Sequence, residues 1–167
     1  RIQFYRYLYG VLKTGGTLYL ADKKQLVLDF FRDSRVTLQW PQEPLVLETQ
    51  DCQILCNLIL VASHSLLRGG TITLEAVRAD TQGAAQRLEL TAAGPQVALA
   101  EPLLSVLQDQ EVEALATPTV QAYYTRRLIA ERGGNLAVAL SPEQCRLRYV
   151  MPAPKDSGQP GEVSADG

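Results

Sequence analysis

Apolar positions near the start of the chain recur at helical spacing. Phe4, Leu8, Val11 and Leu12 stand at i, i+4, i+7 and i+8 and predict a helix over residues 1–13. Thr14-Gly15-Gly16 stops it, because glycine takes the left-handed position after a helix without penalty. A short extended stretch over 17–20 leads to a second helix over 22–32, with Leu26, Val27, Phe30 and Phe31 on one side. Residues 35–40 alternate and are β-branched, so they predict a strand, closed by Pro41 and Pro44. Thr49 or Asp51 then caps a long helix running to Leu67. Ile54, Leu55, Leu58, Ile59, Val61, Ala62 and Leu66 make that helix apolar nearly all round, which predicts a central, buried position.

The second half reads as strands and helices in turn. Gly69-Gly70 ends the long helix, and residues 71–78 and 87–92 form a hairpin across a polar turn at 80–83. A short helix follows over 102–108. Thr117-Pro118 sets an N-cap and a first-turn proline, opening a helix through Arg132. Residues 135–140 and 145–151 pair as a last hairpin across Ser141-Pro142. From Pro152 onward the chain is a polar tail. Helix, Gly-Gly, strand recurs three times at unequal spacing, too irregular for a solenoid. The expected fold is α/β (α+β), a two-layer sandwich with helices on one face of a mostly antiparallel mixed sheet.

The 167 residues, 46% hydrophobic, suffice for one domain with a substantial core. A net charge of −2 gives no basic field to attract nucleic acid. No apolar run is long enough for a membrane span and no secretory signal precedes the domain, so the expected location is the cytoplasm. The chain opens on Arg1 inside a helical pattern, which suggests a fragment. Cys52, Cys56 and Cys145 are expected as free, buried thiols, since a metal site would need further ligands.

One segment carries a resemblance. Asn57-Leu-Ile-Leu-Val61-Ala62, followed by Leu67-Arg68-Gly69-Gly70-Thr71-Ile72, resembles the N-box helix and next strand of the histidine-kinase, gyrase and Hsp90 ATPase superfamily. The first Asn of that pattern matches Asn57. The second falls on Val61, which cannot ligand Mg²⁺. Where the superfamily has an adenine-reading Asp in a Gly-rich turn, this chain has Thr91-Ala-Ala-Gly94-Pro95. Where it has a second Gly-rich loop, this chain has Leu115-Ala-Thr117-Pro118, and a proline removes a donor such a loop would use. Asn57 and Val61 are thus expected to mark a vestigial nucleotide pocket, with no ATP, metal or other cofactor, and neither ATPase nor autokinase activity.

That degenerate pattern, with Arg1-Ile-Gln-Phe4-Tyr5-Arg6-Tyr-Leu-Tyr-Gly10, residues 35–41 and residues 117–134, is similar to the ChpT-type histidine phosphotransferases of alphaproteobacteria. The resemblance implies three parts: residues 1–13 ending a helical dimerisation and phosphotransfer hairpin, 14–151 a degenerate kinase-like ATPase domain, and 152–167 a tail. It implies phosphorelay chemistry, with phosphate passing between receiver domains of response regulators, and a homodimer. The phospho-accepting His would precede Arg1, leaving no catalytic residue in this chain. The one histidine, His64, is expected to be an ordinary residue at a helix end that favours the dipole. Arg1, Phe4, Tyr5, Arg6 and Tyr9 are the expected partner-binding set, since Tyr and Arg are enriched at interfaces. Arg126, Arg127, Tyr123 and Tyr124 form a weaker patch, expected to be a solvated face. The alternative is a stand-alone interaction or scaffold module of the same fold without phosphotransfer.

Overall fold

The computed structural model describes residues 2–12, 15–78, 85–108 and 117–152. Its first helix, α1 (Ile2–Tyr9), buries Phe4 and Leu8 and is shorter than its apolar spacing predicts. Val11 stands fully exposed, so the expected stripe ends at Leu8. Strand β1 (Thr17–Tyr19) runs into a single tight turn at Leu20–Lys23 and then α2 (Lys24–Phe31), which buries Val27, Phe30 and Phe31. Strand β2 spans Val36–Gln39. A further strand, β3 (Val46–Glu48), was not anticipated; it pairs antiparallel with β1 in a small two-stranded sheet.

Helix α3 (Thr49–Ser63) is the axis of the molecule. Every residue from Asp51 to Ala62 is buried. It ends four residues before the predicted Leu67, in a run of tight turns in which the amides of His64, Ser65 and Leu66 bond three residues back. Neither predicted cap acts as one. Glu48 occupies the N-cap without a side-chain bond, and Thr49 donates its amide to the Gly16 carbonyl at 3.1 Å.

Strands β4 (Gly70–Arg78) and β5 (Ala85–Ala93) pair from Thr71↔Ala93 outward. The predicted turn at 80–83 lies outside the described residues. Helix α4 (Glu101–Leu107) precedes α5 (Thr117–Arg132), whose bounds match the prediction. At its end the amides of Gly133 and Gly134 bond to Ala130 and Ile129, with Gly133 at φ +87°, a left-handed closure that a side chain would strain. The hairpin β6 (Asn135–Leu140) and β7 (Gln144–Val150) completes the chain.

The main sheet has the order β2-β4-β5-β7-β6, and only β2 and β4 run parallel. Its inner face carries Ile72, Leu74, Leu88, Leu90, Cys145, Leu147 and Tyr149, all buried against α3 and its neighbours. The outer face carries polar residues such as Thr91, Arg146 and Arg148. The strict alternation along β7 is what sorts them. This is the expected two-layer sandwich with helices on one face.

Candidate functional site

The polar residues of α3 are explained by what they touch. Gln53 donates its amide to the carbonyls of Tyr7 (3.0 Å), Leu8 (3.3 Å) and Gly10 (2.8 Å). Asn57 donates to the Leu8 carbonyl at 3.2 Å and to its own helix at Gln53 at 2.9 Å. Together they satisfy carbonyls that the end of α1 would otherwise leave without partners. The remaining oxygen of Asn57 accepts from Gln121 of α5 at 2.7 Å, and the Tyr9 hydroxyl donates to the side-chain oxygen Oε1 of Gln121. An unbroken amide chain therefore joins α1, α3 and α5, in surroundings where each unmade bond would cost about 1–3 kcal/mol.

A second network holds the far end of α5. Arg132 embraces Asp51 with two bonds of 3.0 Å and also bonds Glu48. The Tyr149 hydroxyl donates to the same Asp51 at 2.6 Å. The bond to Asp51 raises the Arg132 pKa, and burial beside the carboxylate pushes the Tyr149 phenol up. Asp51 also lies in the first turn of α3, where the helix dipole favours a negative charge.

Between these anchors lies an open aromatic surface. Tyr5 and Tyr9 stack at 6.5 Å, and Tyr9 meets Tyr124 of α5 at 4.9 Å. Val120, Tyr123 and Tyr124 recur at three- and four-residue spacing on the same side of α5. Tyr5, Tyr9, Val120 and Tyr123 are each 41–49% exposed. The inward side of α5 is instead polar, with Thr119, Gln121 and Thr125 buried beside Ala122 and Ile129. Partial burial raises the pKa of Tyr9 and Tyr124, and their aromatic or acidic neighbours add to it.

The predicted partner-binding set is divided by this geometry. Tyr5, Arg6 and Tyr9 are exposed on α1. Phe4 is a correction: its ring is buried against Phe30 at 4.5 Å and Phe31 at 6.5 Å, because α2 covers that side of α1. Arg1 lies outside the described residues. Asn57 and Val61 have no accessible surface, so neither lines an opening; Val61 packs in the core and Asn57 is consumed by the amide chain. At the end of β5, the backbone of Gly94 packs against Gly69 and Gly70, so glycine there serves strand packing. Leu115 and Ala116 lie outside the described residues. His64 sits half-buried at the C-cap of α3, and burial lowers its pKa, which opposes the expected help to the dipole. All three cysteines are free and buried. Among the described residues no group of His, Cys, Asp and Glu could hold a metal ion, and no helix is long and apolar enough to cross a membrane.

Residues that sequence reasoning missed are Gln53, Gln121 and Val120. Their signal was present as inversion: polar side chains on the buried lines of α3 and α5, and apolar ones outside.

Comparison with known proteins now decides the family. The histidine phosphotransferase C-terminal domain matches residues 20–144. The chain belongs to the histidine phosphotransferase family. This phosphotransferase chain is 23% identical over 145 residues to the protein phosphotransferase ChpT of Brucella abortus (strain 2308), covering 86% of this chain and 68% of the relative. A bacterial phosphotransferase structure superposes with a TM-score of 0.72 at 21% identity, covering 89% of this chain and 70% of the other. The mycobacterial sensor histidine kinase MprB superposes at 0.56 with 16% identity, covering 83% and 97%. The expected kinase-like fold and the ChpT-type resemblance are both borne out, and with them a place in phosphorelay signalling. Membership does not favour the scaffold alternative.

Proposed function

We propose that this chain is the nucleotide-free, kinase-like part of a phosphorelay phosphotransferase, and that it positions receiver domains of response regulators through the aromatic surface of α1 and α5. Phosphate passes from a receiver aspartyl-phosphate to a histidine and then to the aspartate of a second receiver. The histidine is carried on a helix preceding α1, where residues 1–13 end a hairpin that also forms a homodimer. Residues 14–151 are the kinase-like domain and 152–167 a tail. No metal or nucleotide binds this chain, and Mg²⁺ belongs to the receivers. The protein acts in the cytoplasm, where receivers are found.

One observation carries this reading: α5 turns its polar residues inward, anchored where Gln121 bonds Asn57 and Arg132 bonds Asp51, leaving Val120 and Tyr123 exposed and Tyr124 half-buried beside Tyr5 and Tyr9. A helix that fixes its buried side by hydrogen bonds and leaves aromatics in water is built to meet another surface. Two further facts support the rest. Asn57 spends its amide on α1 and Gln121, and Val61 stands where a Mg²⁺ ligand would be needed.

The test mixes the full-length protein with a receiver carrying radioactive aspartyl-phosphate and follows acid-labile label. The expected result is label on a histidine other than His64, reduced when Tyr123 is replaced by aspartate. Label on His64, or none on any histidine, sinks the reading. Calorimetry with Mg²⁺ and ATP is expected to show no heat of binding.

A further inference from the structure

The two edges of the main sheet are unlike. Strand β2 has four residues, runs parallel to its neighbour and is closed by Trp40-Pro41, a short edge of the kind that resists further pairing. Strand β6 has six residues, Asn135-Leu-Ala-Val-Ala-Leu140, with no charge, proline or glycine. It pairs with β7 in unbroken register from Asn135↔Val150 to Leu140↔Cys145. Among the described residues nothing pairs with its other edge. Among the described residues, no charge, proline or bulge blunts β6.

Its faces are also unfinished. Leu136, Val138 and Leu140 lie on the inner face opposite buried Tyr149, Leu147 and Cys145, yet the first two are half-buried and Leu140 is 38% exposed. Ala137 and Ala139 project from the outer face and are exposed. In an antiparallel pair, directly opposed residues share a face. A copy of β6 turned about Ala137 or Val138 therefore places the same apolar trio beside the first. It sets alanine against alanine or asparagine outside, and it opposes no like charges, which would otherwise weaken the pair.

We propose that β6 is a self-association edge, at which a second copy of this chain pairs its own β6 antiparallel across a two-fold axis to make one continuous ten-stranded sheet. This surface is separate from the α1 and α5 aromatics, so Tyr123→Ser leaves it intact.

Sedimentation velocity over a concentration series tests it. Whatever assembly the α1 hairpin makes at low concentration, the unaltered chain is expected to pass to a species of twice that mass as concentration rises, and Ala139→Lys to weaken that step by about tenfold or more, since a lysine guards a free edge. Mild oxidation of Ala137→Cys, Ala139→Cys and their mixture should give a covalent dimer in at least one case, while Thr37→Cys on the opposite edge gives none. The natural cysteines are buried and do not compete. A chain whose mass does not double with concentration overturns the proposal, including one that adds only another protein's strand at β6. So does a dimer undiminished by Ala139→Lys, or a Thr37→Cys control that links as readily as the β6 variants.

Discussion

Helices α3 and α5 pack side by side, yet they solve burial in opposite ways. Helix α3 is surrounded, and twelve consecutive residues lose their water. It tolerates Asp51, Gln53 and Asn57 there because each meets partners on α1, α5 or β7. Helix α5 has one side open, and it is the open side that is aromatic. In α3 polarity is structural cement, while in α5 polar residues have taken the inward line and freed the outward line for recognition. A buried polar residue and an exposed aromatic are thus two halves of one arrangement.

The largest blow to that arrangement is Asp51→Ala. It leaves Arg132 with Glu48 alone and takes the acceptor from the buried Tyr149 hydroxyl, and breaking such a pair costs several kcal/mol. We expect a loss of about 3 kcal/mol in urea unfolding; a loss below about 1 kcal/mol would show that α5 is held by apolar packing alone. Next comes Val61→Asn, which restores the side chain of the ATPase pattern but buries an amide where no partner is provided. A loss of about 2 kcal/mol is expected, with no gain of Mg²⁺–ATP binding by calorimetry. Recovered nucleotide affinity would mean that Val61 alone closes the site.

The pH dependence distinguishes the inner face of the sheet from the helix ends. Burial pushes the Cys145 thiol up to about 11. The folded state then holds a proton that the unfolded chain releases near its ordinary value, so stability is full below about pH 9 and falls as pH rises toward 11. At about 1.4 kcal/mol per unit, the contribution is of the order of 3 kcal/mol. Cys145→Ala should make the alkaline limb shallower, leaving the part due to Tyr149 and Tyr7, whose phenols burial also raises. An unchanged limb would contradict the assignment. His64 acts in the other direction: its pKa is lowered in the fold, so stability is complete above its ordinary value and declines as pH falls through the folded one. A flatter acid limb in His64→Gln is the check.

The smallest effect on stability, and the sharpest on function, belongs to Tyr123→Ser. The ring is half exposed, so unfolding should shift by no more than about 0.5 kcal/mol. Receiver affinity, measured by calorimetry, should drop about tenfold or more. An unaltered affinity would move the docking surface elsewhere.

Much of the fold was legible because it rests on local patterns. The period of β7, the apolar girth of α3 and the Thr-Pro opening of α5 each name their element without tertiary help. What was illegible depends on distant partners. Strand β3 has three residues and exists because β1 lies beside it. Helix α1 can stop at Tyr9 because Gln53 and Asn57 donate to its last carbonyls. Phe4 could not be told from Tyr5 as a docking residue until α2 was seen to cover it. At the candidate site, residue composition marked the first helix correctly as aromatic, but the partnership of Tyr9 with Tyr124 spans most of the chain and leaves no local trace.

The position of Asp51 also bears on the order of synthesis. Its two partners lie 81 and 98 residues downstream, on α5 and β7. A nascent chain that has finished α3 has made a carboxylate it cannot yet bury. Until Arg132 and Tyr149 have both been made, burying that charge carries an uncompensated cost. A chain truncated before β7 is expected to unfold at lower urea than the whole chain, since Asp51 then lacks the Tyr149 hydroxyl.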